Sequence, residues 1–307
     1  MPGEKKQVIR QLPRLFKQSF RELVKNDPLR MAGATAFFTT FALPAIMVIL
    51  IQMLGLMFNE QKMSSRLFAR MSDVVGKETV KQVMNVLKEL RIIATNWYIT
   101  IGGFIFLLFV ATTLFLVIKR SVNQLWMIRI VSKRKIYYEL QTRLQSFLVI
   151  VFVGIFFLAG LLVESVRVFI GRQLEGLWNI NIPFFETGLD VLTAIIIVTG
   201  WFTVLLRYLP DGRPSWRVAL TGGFVTSLLF NLGKWILRWL LSYSNLNSLY
   251  GTSASIVLLL LFVFYSSLIL YFGAAFTRVW GEFCDDKIKT LSHARYFKLA
   301  EQKQEVE

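Results

Sequence analysis

The chain has 307 residues, 55% of them apolar, with 27 Phe and 8 Trp, and its mean hydropathy is +0.54. A soluble domain of this length lacks the interior to hide so much apolar surface, so composition excludes a water-soluble catalytic domain and calls for a bilayer as solvent. The net charge is +16, and the single cysteine, Cys284, excludes an intramolecular disulfide.

Residues 1–27 come first in the chain. Leu12, Leu15, Phe16, Ser19, Phe20, Leu23 and Val24 share one helical face, while Arg10, Arg14, Lys17, Arg21 and Lys25 occupy the other. Such a helix lies in the membrane interface, with Arg14, Lys17 and Arg21 reaching anionic phospholipid headgroups, each contact contributing ~1 kcal/mol. Packing on the cytoplasmic loops is the alternative. Pro13 fits a first helical turn and argues against a helix running unbroken from Lys5. No short apolar core with a small-residue cleavage site precedes the first apolar run, so that run is expected to serve as the membrane address.

A spanning helix takes about 20 largely apolar residues. Six segments qualify, near 32–58, 98–118, 146–166, 188–206, 218–241 and 253–279. The predicted fold is therefore all-α: a polytopic membrane domain over 28–282, with amphipathic interfacial and extramembrane helices and a polar tail over 283–307. Asn26-Asp27-Pro28 marks the first helix start, with Asp27 as cap and Pro28 at the first position. Residues 59–97 are polar but periodic and read as one or two outer amphipathic helices. Residues 119–145 form a basic inner loop centred on Lys133-Arg134-Lys135, helical in character from 121. Lys and Arg number 24 in 1–31, 119–145, 207–217 and 278–307, against nine in 59–97, 167–187 and 242–252. That asymmetry places both termini in the cytoplasm and accounts for the high charge without a nucleic-acid footprint.

Polar residues inside the spans mark the candidate site. Gly223, Ser227, Asn231, Lys234 and Arg238 are spaced 4, 4, 3 and 4 apart, within an arc of roughly 80° on one helix. One reading makes Asn231, Lys234 and Ser227 the lining of a substrate path, with Lys234 contacting an anion. The other has Lys234 and Arg238 snorkelling at the outer end while Gly223 and Ser227 permit close packing. Gly33, Thr40 and Pro44 share a face of the first span, where Pro44 introduces a kink that serves either as a gate or as shape alone. Ser266, Gly273 and Thr277 form a close-packing face on the last span. Asn123 and Gln124 either line a cytoplasmic mouth or cap helix ends. Glu164 and Asp190, at span ends, are candidate proton carriers or simply hydrated carboxylates.

Enzyme signals are poor. The one histidine, His293, lies in the hydrophilic tail, the acids are scattered with Asp285-Asp286 the one adjacent pair, and no phosphate-cradling Gly-Lys-Ser/Thr loop occurs. No catalytic residue, metal site or cofactor is expected.

Several segments then combine. Met31-Ala-Gly-Ala-Thr-Ala-Phe-Phe-Thr-Thr-Phe-Ala-Leu-Pro44, Ser121-Val-Asn-Gln-Leu-Trp126 with Lys133–Lys135, Tyr208-Leu-Pro210 with Trp216-Arg217, Gly222-Gly-Phe through Lys234, Leu249-Tyr-Gly251 and Phe272-Gly-Ala274 cover most of 27–282. In order and spacing they resemble the YihY/BrkB family of bacterial membrane proteins, which carries the historical label ribonuclease BN. The resemblance implies a multi-pass inner-membrane protein, a transporter type of undefined substrate with branches linked to lipid export and to resistance to host killing. Ala275 stands where that family often has an acidic residue, which puts any mechanism needing a carboxylate there in doubt. The expected function is a transporter or lipid translocator that does not hydrolyse ATP, with membrane lipids and an unknown substrate as partners and no nucleic acid; homo-oligomerisation is compatible with it. A membrane-bound ribonuclease and a scaffolding membrane protein are the alternatives.

Overall fold

The computed structural model describes residues 2–55, 97–131, 141–145, 183–243 and 254–297, with scattered positions between 65 and 85 and between 147 and 160. Among the described residues six long helices stand out: α1 (Pro2–Val24), α2 (Pro28–Gly55), α3 (Trp97–Leu125), α4 (Pro183–Tyr208), α5 (Trp216–Tyr243) and α6 (Ala254–Phe283). Four of them, α2, α3, α5 and α6, contain stretches long and apolar enough to cross a membrane, and α4 carries a shorter apolar stretch, Leu192–Tyr208. These match five expected spans. The sixth, near 146–166, falls largely outside the described residues, as do Glu164 and the side chain of Asp190. The fold is an all-α membrane bundle.

Helix α6 is the hub. It packs against α2, α5 and α1 and touches α3, while α3 packs mainly along α2 and α4 along α5. Small residues set the α5–α6 approach. A Cβ at Gly222 would lie 1.9 Å from Thr277 Oγ1, and one at Gly273 would lie 1.8 Å from Thr226 Oγ1. Each threonine thus fills the notch left by the opposing glycine, and the reversed pairing makes the two helices antiparallel. Lipid is as apolar as leucine, so such interdigitation and its dispersion contacts hold the helices together. The expected packing face at Gly273 and Thr277 is present; Ser266 Oγ is buried without a hydrogen-bond partner.

Two local expectations are corrected. Helix α1 runs unbroken through Pro13, because Pro13 sits on the exposed face, where water can satisfy the carbonyl the ring leaves without a donor. The basic segment is helical over 121–125 and 141–145 but not throughout: α3 stops at Leu125, Met127 takes a left-handed φ of 53°, and β1 (Ile128–Ile130) follows. There the backbone exchanges intrahelical partners for pairing with the C-terminal segment, where β4 (Ala294–Tyr296) runs antiparallel to β1. Another short ribbon joins β2 (Gly212–Arg213) to β3 (Lys289–Thr290). Residues 284–297 consequently form a strap across the end of the bundle where α3, α4 and α6 finish. Ile288 and Ala294 are buried in it.

Helix α2 does begin at Pro28, but Asp27 sits at φ 52° and caps through its carbonyl, which accepts from Met31 N at 3.2 Å. Its carboxylate instead faces Arg30 at 3.9 Å. Asn26 closes the preceding helix instead, donating from Nδ2 to Glu22 O in the last turn of α1 at 2.8 Å.

Candidate functional site

Two constructions at the strap end stand out, a buried polar node and an apolar groove. Lys119, in the last turns of α3, and Asn123, one turn further along the same face, point at the turn after α4. There Asp211 is fully buried, and Lys119 is 1% exposed. Lys119 Nζ donates to Asp211 Oδ1 at 2.9 Å, to Gln145 Oε1 at 3.1 Å and to Thr142 Oγ1 at 3.4 Å. Asn123 Nδ2 donates to Asp211 Oδ2 at 2.7 Å while its Oδ1 accepts from Asp211 N at 2.9 Å. His293 Nε2, from the strap, lies 2.9 Å from Asp211 Oδ1. A carboxylate out of water needs such a set of donors, since its desolvation costs several kcal/mol on the order given for buried ions. The node thereby ties α3, the 141–145 helical segment, the α4–α5 turn and the strap together. Gly212 permits the approach: a Cβ there would come within 2.8 Å of Ile128, Ile288 and Trp126 side-chain carbons.

Around the node the helix ends are closed by side chains. Trp126 Nε1 donates to Ala274 O at 2.8 Å. Arg278 Nη1 donates to Leu125 O at 2.9 Å, and its Nε meets Glu282 Oε1 at 3.0 Å. Thr35 Oγ1 and the buried Tyr271 hydroxyl share a hydrogen bond of 2.5 Å between α2 and α6.

The groove has a volume of about 880 Å³ and is walled by Phe20, Leu23 and Val24 of α1, Leu229 of α5, and Leu268, Ile269 and Phe272 of α6, with Asp27 and Arg30 among its lining at the α1–α2 corner. Helix α1 builds one wall because Leu15, Ser19 and Leu23 are buried and Phe16 packs in tilted geometry against Phe272 and Phe276 at ring distances of 5.7 and 5.1 Å. Phe20 and Val24, 60% and 52% exposed, are left to face outward and into the groove.

The residues singled out by sequence scatter across these constructions. Asn123 belongs to the node. Gln124 Nε2 lies 3.5 Å from Asn26 Oδ1 at the α1–α2 corner. Ser227 is buried and donates to Ile195 O of α4 at 3.1 Å, and Asn231 Nδ2 donates to Ser227 O at 2.9 Å. Lys234 is half-buried with its Nζ 5.6 Å from the centre of the Phe230 ring, while the side chain of Arg238 lies outside the described residues. None of the three lines the groove. Gly33 has open space where a Cβ would stand, and α2 continues through Pro44 to Gly55. Arg14, Lys17 and Arg21 are exposed on α1, opposite its packed face.

Sequence reasoning missed Asp211, Lys119 and Asn26. Asp211 sits between Pro210 and Gly212, a context that signals a turn, and Lys119 looks like any basic residue flanking a span. No local signal joins them.

Compared with known proteins, residues 19–295 match the family model described as virulence factor BrkB. A UPF0761 membrane protein of Mannheimia succiniciproducens is 26% identical over 285 residues, covering 90% of this chain and 92% of that protein. Another UPF0761 membrane protein, from Saccharophagus degradans, is 23% identical over 280 residues, which make up 88% of this chain but 60% of the relative. One from Stenotrophomonas maltophilia is 26% identical over 257 residues, 82% of this chain and 57% of that protein. The chain thus spans about three-fifths of the latter two. No solved structure matches.

Proposed function

The chain belongs to the virulence factor BrkB family and is an integral membrane protein, and from that premise we propose that it is a lipid translocator that works without hydrolysing ATP. The groove carries this reading. Its apolar walls suit an acyl chain, whereas the Asp27–Arg30 corner offers charge where a headgroup would lie. The exposed Arg14, Lys17 and Arg21 of the adjoining α1 supply a cationic surface that favours anionic phospholipid. Its volume falls in the range of roughly 300–1,000 Å³ typical of ligand cavities. The reading assigns the chain no catalytic step and no nucleic-acid partner.

Filling the groove tests it. Leu229→Trp with Ile269→Trp should slow movement of a fluorescent phosphatidylglycerol across proteoliposomes by about tenfold or more, equivalent to ~1.4 kcal/mol of lost lipid binding. Unchanged movement in a folded double variant, or no movement with the unaltered protein, refutes the proposal.

We further propose an inner-membrane location with the strap end cytoplasmic, on the basis of the Lys and Arg asymmetry. The native Cys284, exposed at the start of the strap, is a ready reporter. A membrane-impermeant maleimide should leave it unlabelled in intact spheroplasts and label it after lysis. In a Cys284→Ser background, Lys81→Cys, exposed beyond α2, should show the opposite pattern; reversed labelling at both sites inverts the topology.

A further inference from the structure

Three arginines gather at the α4–α5 turn, Arg207 at the end of α4, Arg213 in the turn and Arg217 at the start of α5, and among the described residues none of them forms an ion pair with a carboxylate. The one acid in the turn, Asp211, is already engaged by Lys119, Asn123 and His293. Two of the guanidinium groups are held in place all the same. Arg207 Nη1 donates to Pro214 O, and Arg213 Nη1 donates to Arg207 O at 2.6 Å. Arg207 lies 4.6 Å from the Trp216 ring centre, and Arg213 lies 5.1 Å from that of Tyr208. The Nε of Arg207 is buried and has no hydrogen-bond partner. Burial pulls the Arg213 guanidinium below its usual range, and neighbouring Arg207 adds to this against the opposing pull of Tyr208 and Asp211. Two cations held at one turn without a carboxylate partner are relieved by an anion.

The surroundings indicate which anion. Tyr208 and Trp216 are 44% and 49% exposed, and Leu220, Phe224, Leu228 and Leu232 continue from Trp216 at four-residue steps, each 42–51% exposed. At roughly 40° of turn per four-residue step, an apolar stripe therefore winds along α5 from the arginines into the membrane-spanning part of the helix. Guanidinium groups match a phosphate with paired N–H donors, and Trp and Tyr favour the headgroup level. From this arrangement we propose that the α4–α5 turn and the exposed face of α5 form a binding site for one anionic phospholipid, its phosphate on Arg207 and Arg213 and an acyl chain along the stripe. A soluble phosphate would use the arginines but would have no need of the stripe.

The site is independent of the groove, whose walls come from α1, α2, the middle of α5 and α6. Translocation can fail its test while this site holds, and the reverse.

Titration of the full-length protein in neutral detergent with phosphatidylglycerol, phosphatidylcholine or inorganic phosphate, followed by native mass spectrometry and thermal unfolding, tests the proposal. Phosphatidylglycerol should bind the unaltered protein more tightly than phosphatidylcholine, and Arg207→Gln with Arg213→Gln should weaken that binding by about tenfold, the effect expected on losing hydrogen bonds to a charged group. Arg213→Lys, which keeps the charge but not the planar fork, should fall between them and serves as the decisive variant should the double change not fold. Equal binding of the two lipids, undiminished phosphatidylglycerol binding in Arg213→Lys and the double variant, or inorganic phosphate stabilising the protein as strongly as the lipid would each overturn it.

Discussion

Asp211→Ala should lower stability by about 3–5 kcal/mol, the cost typical of breaking a buried ion pair from one side. The carboxylate is completely buried and its lysine partner nearly so, which removes the solvent screening that makes exposed pairs weak. Removal takes the ion-pair partner from the Lys119 ammonium and the shared acceptor from Asn123 Nδ2 and His293 Nε2. Lys119→Met combined with Asp211→Leu should recover the part of the loss that comes from the unpaired ammonium, because a matched apolar pair carries no buried charge. His293→Ala removes one donor and should cost about 1 kcal/mol, with the strap loosening first. Thermal unfolding in detergent, read alongside maleimide access to Ala294→Cys in a Cys284→Ser background, separates global from local loss. If Asp211→Ala unfolds like the unaltered protein, the node does not hold the four segments together.

Gly273→Val should be nearly as damaging, about 3 kcal/mol or somewhat more, at the upper end of what overpacked cores show. A Cβ at position 273 would stand 1.8 Å from Thr226 Oγ1 and 2.9 Å from Thr226 Cβ. Thr226 cannot turn aside freely, since its hydroxyl already donates to Gly222 O at 2.7 Å and its β-branched side chain is restricted in a helix. The helices must separate instead, and the Gly222–Thr277 notch one turn away opens with them. Exchanging the two partners, as Gly273→Thr with Thr226→Gly, restores the complementary shape. It should regain most of the stability, since the exchange leaves the number of helical glycines unchanged. A double-mutant cycle measured by thermal unfolding reads the coupling directly; additive effects at the two positions would deny the notch its role.

These two sites differ in how far the sequence alone announces them. Gly273 and Thr277 lie four apart in an apolar run, and helical periodicity places them on one face before any partner is known. The same holds for the runs that became α2, α3, α5 and α6, whose length and hydropathy leave few options in a bilayer because an unsatisfied backbone is so costly there. The amphipathic division of α1 was equally plain. What it packs against was not, since one apolar stripe serves for lipid or for a helix, and here Leu15 and Leu23 turn to protein while Phe20 stays exposed.

The node lay beyond sequence reasoning. Lys119, Asp211 and His293 are far apart in the chain, and each has an ordinary local reading as span flank, turn residue and tail residue. Their common burial follows from the strap folding back along β1 and β2, through ribbons of two or three residues too short for any alternation to register. Local sequence determined the membrane helices and their faces because hydrophobic periodicity and backbone satisfaction act over one or two turns. Only the tertiary structure decided where the buried charge goes, because pairing across long separations depends on which helix ends meet, and the side chains that meet carry no record of it in their neighbours.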